Sequence, residues 1–263
     1  LDDRDVMTKI EEVTFDLQHI EKGGYPHFML KEIHEQPEAI ENALRGRVDA
    51  GREEVMLGGL RDVLPQLQAA KRFILVGCGT SWHAALIGEY MLEQYARIPV
   101  EVEYASEFRY RDPIVGPDDA VLLISQSGET ADTLAALREA KAKGARVYGI
   151  CNVVGSSVAR ETEAGIFIHA GPEIGVASTK SFTSQLTVLA LLTLLLGGMR
   201  GLPAEERKRL AAALRKLPDQ VRSVLKEEEH LREIAREFSA SRNALYLGRG
   251  YNFPVALEGA LNL

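Results

Sequence analysis

Along the middle of the chain, continuous apolar runs are each ended by a small-residue turn and followed by a helix-like stretch. The runs fall at residues 73–76, 100–104, 120–124, 147–150 and 166–169, and are rich in Val, Ile, Leu and Phe. Most do not alternate, so they read as strands buried on both faces. Between them, residues 82–95, 106–110, 130–143 and 157–160 carry helical patterning, and Gly144 closes the third of these. A long apolar helix follows over residues 180–196. Strands and helices in strict alternation predict an α/β fold: a doubly wound five-stranded parallel sheet flanked by helices. In such sheets ligands sit beyond the carboxyl ends of the strands.

The flanks are less regular. Residues 5–15 alternate loosely, like an edge strand, and residues 16–22 read as a short helix stopped by Gly23-Gly24. Residues 25–37 keep no single period and read as a connector, with Pro37 in the first turn of a helix over 38–47. A broken amphipathic helix is expected over residues 52–70, interrupted near Gly58-Gly59 or Pro65. Residues 203–238 are charged and helix-forming, a helical bridge with breaks at Pro203 and Pro218 and a solvated face at Glu227-Glu228-Glu229. Residues 244–250 then repeat the strand-plus-glycine theme. Val76-Gly77-Cys78-Gly79 lies over Leu247-Gly248-Arg249-Gly250, and Ala85, Leu86 and Gly88 lie over Ala256, Leu257 and Gly259 at constant spacing. This predicts the start of a second repeat, truncated at Leu263. One strand and one helix cannot bury a core alone, so they should rest on the first domain or on a partner chain. The expected segments are 1–45, 46–200, 201–240 and 241–263.

Composition narrows the class. The 263 residues are 46% hydrophobic and 26% charged, ordinary for a globular protein. A net charge of -7 argues against broad nucleic-acid or anionic-membrane binding. Cys78 and Cys151 each end an apolar run and read as reduced thiols of a cytoplasmic protein. The longest apolar run, residues 186–196, is short for a bilayer span, and the acidic first residues are unlike a signal peptide. With Leu1 first and Leu263 inside an expected helix, both ends read as cut from something longer.

Three loops carry the candidate chemistry. Ser125-Gln126-Ser127-Gly128-Glu129-Thr130 joins a buried strand to a helix. Helix starts offer unpaired N–H groups and partial positive charge. Three hydroxyls and an amide add donors, and Gly128 lets the backbone approach. With no Lys or Arg in the loop, this suits a phosphate monoester held by neutral donors; the plainer alternative is an ordinary capped turn. Gly77-Cys78-Gly79-Thr80-Ser81 follows the same logic. It lacks the further Gly of a dinucleotide fingerprint and the Gly-Lys-Ser/Thr ending of a P-loop. Glu173-Ile174-Gly175-Val176-Ala177-Ser178-Thr179-Lys180 is a third carboxyl-end loop, with hydroxyls and a charge pair. Cys78 reads as a small buried residue rather than a nucleophile with His83 as its base. The six histidines have no metal spacing. Glu258 reads as an exposed surface carboxylate, and a Ser125→Ala change near the cleft surface should leave fold stability almost unchanged.

These three loops resemble the sugar isomerase (SIS) domain. His27-Phe28-Met29-Leu30-Lys31-Glu32-Ile33 with Glu35-Gln36-Pro37 resembles the segment joining the glutaminase and isomerase halves in the family of glutamine–fructose-6-phosphate aminotransferases, as does Ala256-Leu257-Glu258-Gly259-Ala260-Leu261. The resemblance implies binding of fructose 6-phosphate and glucosamine 6-phosphate, with no cofactor and no metal. It implies that Ser125, Gln126, Ser127 and Thr130 hold the phosphate, with Gly128 shaping their loop. Thr80 and Ser81, with Cys78 and Gly79, would serve phosphate and sugar, and Val176, Ala177 and Ser178 would line the sugar. It further implies a glutaminase domain in the full-length protein, a homodimer, and no nucleic-acid or membrane partner. The family's ring-opening and proton-transfer Glu, His and Lys fall beyond Leu263, and many members have Lys where Asn262 stands. No catalytic residue is therefore expected here, and the chain should bind phosphosugar without turnover. Other readings are a stand-alone SIS module that senses a phosphosugar, and a simple aldose–ketose isomerase.

Overall fold

The computed structural model describes residues 21–49 and 54–263. Strands β1 (Arg72–Gly77), β2 (Val100–Tyr104), β3 (Asp119–Ser125), β4 (Arg146–Cys151) and β5 (Ala164–Phe167) form one sheet in the order β2-β1-β3-β4-β5. Every pairing is parallel. The helices are α1 (Phe28–Leu44), α2 (Leu64–Ala69), α3 (Thr80–Met91), α4 (Ala105–Tyr110), α5 (Ala131–Ala142), α6 (Ser157–Glu161), α7 (Lys180–Met199), α8 (Ala204–Leu225), α9 (Glu228–Phe238) and α10 (Asn252–Asn262).

Successive strand side chains point to opposite faces, so unbroken apolar strands feed two cores. Phe73, Leu75, Leu122, Ile124 and Ile150 pack with Val188, Leu189 and Leu192 of α7 and with Ile40 of α1. Ile74, Val76, Val121, Leu123 and Val147 pack with Phe108 of α4 and Leu137 of α5. The sheet is covered on both sides, as the alternation requires. α7 is long and apolar enough, by length and composition alone, to cross a membrane, but 61% of its most apolar stretch is buried inside this fold. It is a core helix between the sheet and α1.

Several expectations need correction. The last strand is Ala164–Phe167 rather than 166–169: Ile168 still donates to the Cys151 carbonyl, but His169 adopts φ 54°, which no strand continues. The connector is one helix, with Pro37 inside it. A proline leaves the carbonyl four residues back without its helical donor. Here that carbonyl, Ile33, accepts from the Gln36 side-chain amide at 3.0 Å. Pro218 likewise lies inside α8, because Leu214, Leu217 and Val221 pack on the core and hold the helix through it. Pro65 sits in the first turn of α2 after a 3-10 turn over Gly58–Val63. Residues 244–247 form no ladder with any described strand, leaving Leu245 90% and Leu247 88% exposed. α10 packs on α3, so the end of the chain does rest on the first unit. The expected edge strand at 5–15 and most of the helix at 16–22 lie outside the described residues.

Candidate functional site

The strand order reverses direction at β1, whose neighbours are β2 on one side and β3 on the other. Loops leaving the carboxyl ends of β1 and β3 therefore diverge and open a crevice. A cavity of about 230 Å³ lies there. It is lined by Cys78, Thr80 and Ser81 after β1, by Ser125, Gln126, Ser127 and Thr130 after β3, and by Glu173, Gly175, Val176 and Ser178 after β5, with Thr133 of α5. The three loops singled out in the sequence thus meet at one edge. Gly79, Gly128 and Ala177 are not in the lining. Gly79 donates its N–H to the Tyr104 hydroxyl at 2.9 Å, and Gly128 shapes its turn.

The loop after β3 is tied down from within. Ser125 Oγ accepts from Gly128 N at 2.9 Å, and Ser127 Oγ accepts from Glu129 N at 3.2 Å. Each hydroxyl then keeps its own proton for another acceptor. Thr130, at the N-cap of α5, makes no side-chain capping bond, so its hydroxyl is also uncommitted to the helix. Gly128 has φ 67°, a left-handed conformation that favours glycine. Ser125 itself is buried, so Ser125→Ala would also orphan the Gly128 N–H; the expectation of unchanged stability is corrected to a loss of about 1 kcal/mol.

The loop after β5 is held by carboxylates. Glu32 of α1, buried, accepts from Ile174 N at 2.6 Å and from Gly175 N at 3.1 Å. Glu173 accepts from Thr179 N, Ser181 N and the Ser178 hydroxyl at 2.9–3.1 Å, capping α7. Lys180 is bonded to Glu35 at 2.7 Å rather than to Glu173. Sequence reasoning missed Glu32 and Glu35 because it read their segment as irregular. Their helical spacing beside Lys31 was the available signal.

Glu258 corrects the sequence reading most. Far from exposed, it is 5% accessible. Its carboxylate accepts from the Thr80 hydroxyl at 2.8 Å and from Asn262 Nδ2 at 3.0 Å, and lies 2.6 Å from His83 Nδ1. An ionised carboxylate only accepts, so Nδ1 carries the His83 hydrogen. Asn262 also reaches the Ser178 carbonyl at 3.4 Å, so α10 touches two of the three loops.

Among the described residues no Lys or Arg lines the cavity, so an anion there meets hydroxyls, amides and helix starts. Burial pushes the Cys78 thiol above its usual range, which keeps it protonated and a poor nucleophile. Burial pushes Cys151 further, up to about 12. At pH 8 Cys151 stays a protonated thiol. Iodoacetamide should therefore leave Cys151 unmodified in the native protein and label it on unfolding in urea. Native labelling as fast as in urea would refute this burial.

Comparison with known proteins assigns the architecture. Residues 66–195 match the SIS domain. A glutamine–fructose-6-phosphate aminotransferase of Chlorobaculum tepidum is 59% identical over 255 residues, 97% of this chain and 42% of that protein. One from Bacteroides thetaiotaomicron is 54% identical, covering 97% of this chain and 42% of its own length. The C-terminal domain of glucosamine-fructose-6-phosphate aminotransferase from Francisella tularensis superposes with a TM-score of 0.87 at 41% identity, over 92% of this chain and 67% of that one. The chain belongs to the SIS-domain family. It spans about 42% of the length of the curated relatives it matches first. The SIS match runs from the middle of α2 through most of α7 and takes in all five strands and all three loops.

Proposed function

We propose that this chain is the phosphosugar-binding isomerase part of a glutamine–fructose-6-phosphate aminotransferase, which converts fructose 6-phosphate and glutamine into glucosamine 6-phosphate and glutamate. The observation that carries the proposal is the meeting of three hydroxyl-rich loops at the switch point of the sheet, in a cavity that no Lys or Arg among the described residues lines. Ser125, Gln126, Ser127 and Thr130, at the start of α5, take the phosphate. Ser81 reaches the phosphate from the opposite wall, and Thr80 faces the sugar. Val176, Ala177 and Ser178 cover the sugar from the third loop. The similarity to the relatives extends across α1 and α10, beyond the SIS match itself, which favours this reading over a lone sensing module. In the full-length protein the partner would be a glutaminase domain, and the assembly a cytoplasmic homodimer.

Calorimetric titration tests the assignment. Glucosamine 6-phosphate should bind saturably and more tightly than glucosamine or inorganic phosphate. Ser125→Ala should weaken it by about 1–3 kcal/mol, the range for a hydrogen bond to a charged group. No saturation at millimolar phosphosugar, or an unchanged affinity in Ser125→Ala, would remove the site from these loops.

A further inference from the structure

The hydroxyls around the cavity do not all have a free proton. Ser125 and Ser127 each accept from a backbone N–H, and Ser81 Oγ accepts from the Gln185 side-chain amide at 3.0 Å. A hydroxyl has one proton and two lone pairs, so these three can each still donate to a ligand. That is what an anion requires. Thr80 and Ser178 differ, because their protons are spent on Glu258 and Glu173. Only lone pairs remain for the cavity.

We infer that Glu258 is a positioning residue that fixes the polarity of Thr80, turning this hydroxyl into an acceptor for a donor on the sugar, a hydroxyl or an amine, on the side of the cavity where Glu173 does the same to Ser178. This rests on the reading of the cavity as a phosphosugar site, and adds a direction to it. The anionic end belongs with Ser81, Ser125 and Ser127, and the donor-bearing end belongs with Thr80 and Ser178. A phosphate oxygen placed against Thr80 would meet lone pairs with a buried carboxylate behind them. Glu258 is itself held from behind by His83 Nδ1–H and Asn262 Nδ2–H, so its acceptor direction does not depend on the ligand. The arrangement crosses 178 residues of sequence, from α3 to α10, and links the end of the chain to ligand choice at the first loop.

Glu258→Gln separates polarity from packing. The amide has the shape of the carboxylate. Its oxygen can take the His83 hydrogen, which turns its NH2 toward Thr80 and displaces the Asn262 amide, whose Nδ2 shares that oxygen in the wild type. Thr80 then accepts from the amide and points its proton into the cavity, facing the sugar donor. Glu258→Gln should weaken glucosamine 6-phosphate about tenfold, as should Thr80→Val, each having lost one hydrogen bond. The double variant should be no weaker than the worse single, because both changes act on the same contact. Thr80→Ser, which keeps the hydroxyl, should bind within about twofold of wild type. Wild-type affinity in Glu258→Gln or in Thr80→Val, or losses that multiply in the double variant, would overturn the inference. Urea midpoints report folding. Should Glu258→Gln fail to fold, the contrast between Thr80→Val and Thr80→Ser still decides whether this hydroxyl reads the sugar. If wild type itself does not bind glucosamine 6-phosphate, the phosphosugar reading fails first, and the two failures are distinguishable.

Discussion

Gly128→Ala should lower both stability and affinity for the proposed phosphosugar, with the largest effect of any single methyl group added to the three candidate loops. The backbone at Gly128 has φ 67°, and an alanine held there is strained. A Cβ built at this position would lie 2.2 Å from Ser156 Oγ and 2.6 Å from Ser156 Cβ, so no simple rotation of the serine relieves it. Ser156 in turn caps α6 by accepting from Ala159 N, and Val158 N donates to the Gly128 carbonyl. Moving one side of this contact moves the other. Backbone strain costs about 1–3 kcal/mol, and overpacking a filled site about as much. The affinity loss should be larger in relative terms. The turn that aims Ser125 and Ser127 is tied by the Gly128 N–H to Ser125 Oγ. Losing two hydrogen bonds to an anion, each about 1.5–3 kcal/mol, corresponds to about a hundredfold or more. Urea unfolding and calorimetric titration of the variant check both halves. A Gly128→Ala protein with wild-type midpoint and affinity would show that this turn does not build the site.

Glu35→Leu should destabilise the fold by about 3 kcal/mol, near the low end for breaking a buried ion pair because the Glu35 side chain retains 23% exposure. Its removal leaves the Lys180 ammonium buried in the first turn of α7 without its carboxylate. Lys31 would lose a second contact at 3.4 Å, but keeps its bond to the Glu21 carbonyl at 2.6 Å. The decisive comparison is the double change Glu35→Leu with Lys180→Met. Removing both charges replaces an ion pair with apolar contact, and such replacements are commonly neutral or stabilising. The double variant should therefore be more stable than Glu35→Leu alone. Urea midpoints at constant slope give the measurement. A double variant as unstable as the single would mean that Glu35 contributes through packing rather than through Lys180.

The sheet was legible in the sequence because its three central strands, β1, β3 and β4, are buried on both sides, which makes hydrophobicity along the chain a sufficient signal. The loops at its carboxyl ends were legible because their chemistry is local: Ser125 to Thr130 is both the motif and the structure. Contacts made across long stretches of sequence were not legible. Glu258 meets His83 over 175 residues, and Glu32 meets Ile174 over 142. Neither carboxylate differs, as a residue in a string, from one on a solvated helix face. Pro37 misled because the side chain that compensates for it, Gln36, is next to it rather than in a recognisable motif. Residues 244–247 misled for the opposite reason. Their apolar pattern is that of a strand, but a strand also needs a neighbour, and no described strand lies beside them.

The grip of Glu32 on the peptide N–H groups of Ile174 and Gly175 makes α1 and the third loop a single mechanical element. A shift of α1 must either drag these two amides with it or strand a carboxylate in the protein interior. Coupling of this kind is reciprocal: an occupant that holds the loop still also holds the helix, by the same free energy. Amide hydrogens of α1, which does not line the cavity, would then exchange more slowly when the cavity is filled, and a force applied at the start of the helix would be felt as a change in grip on the occupant.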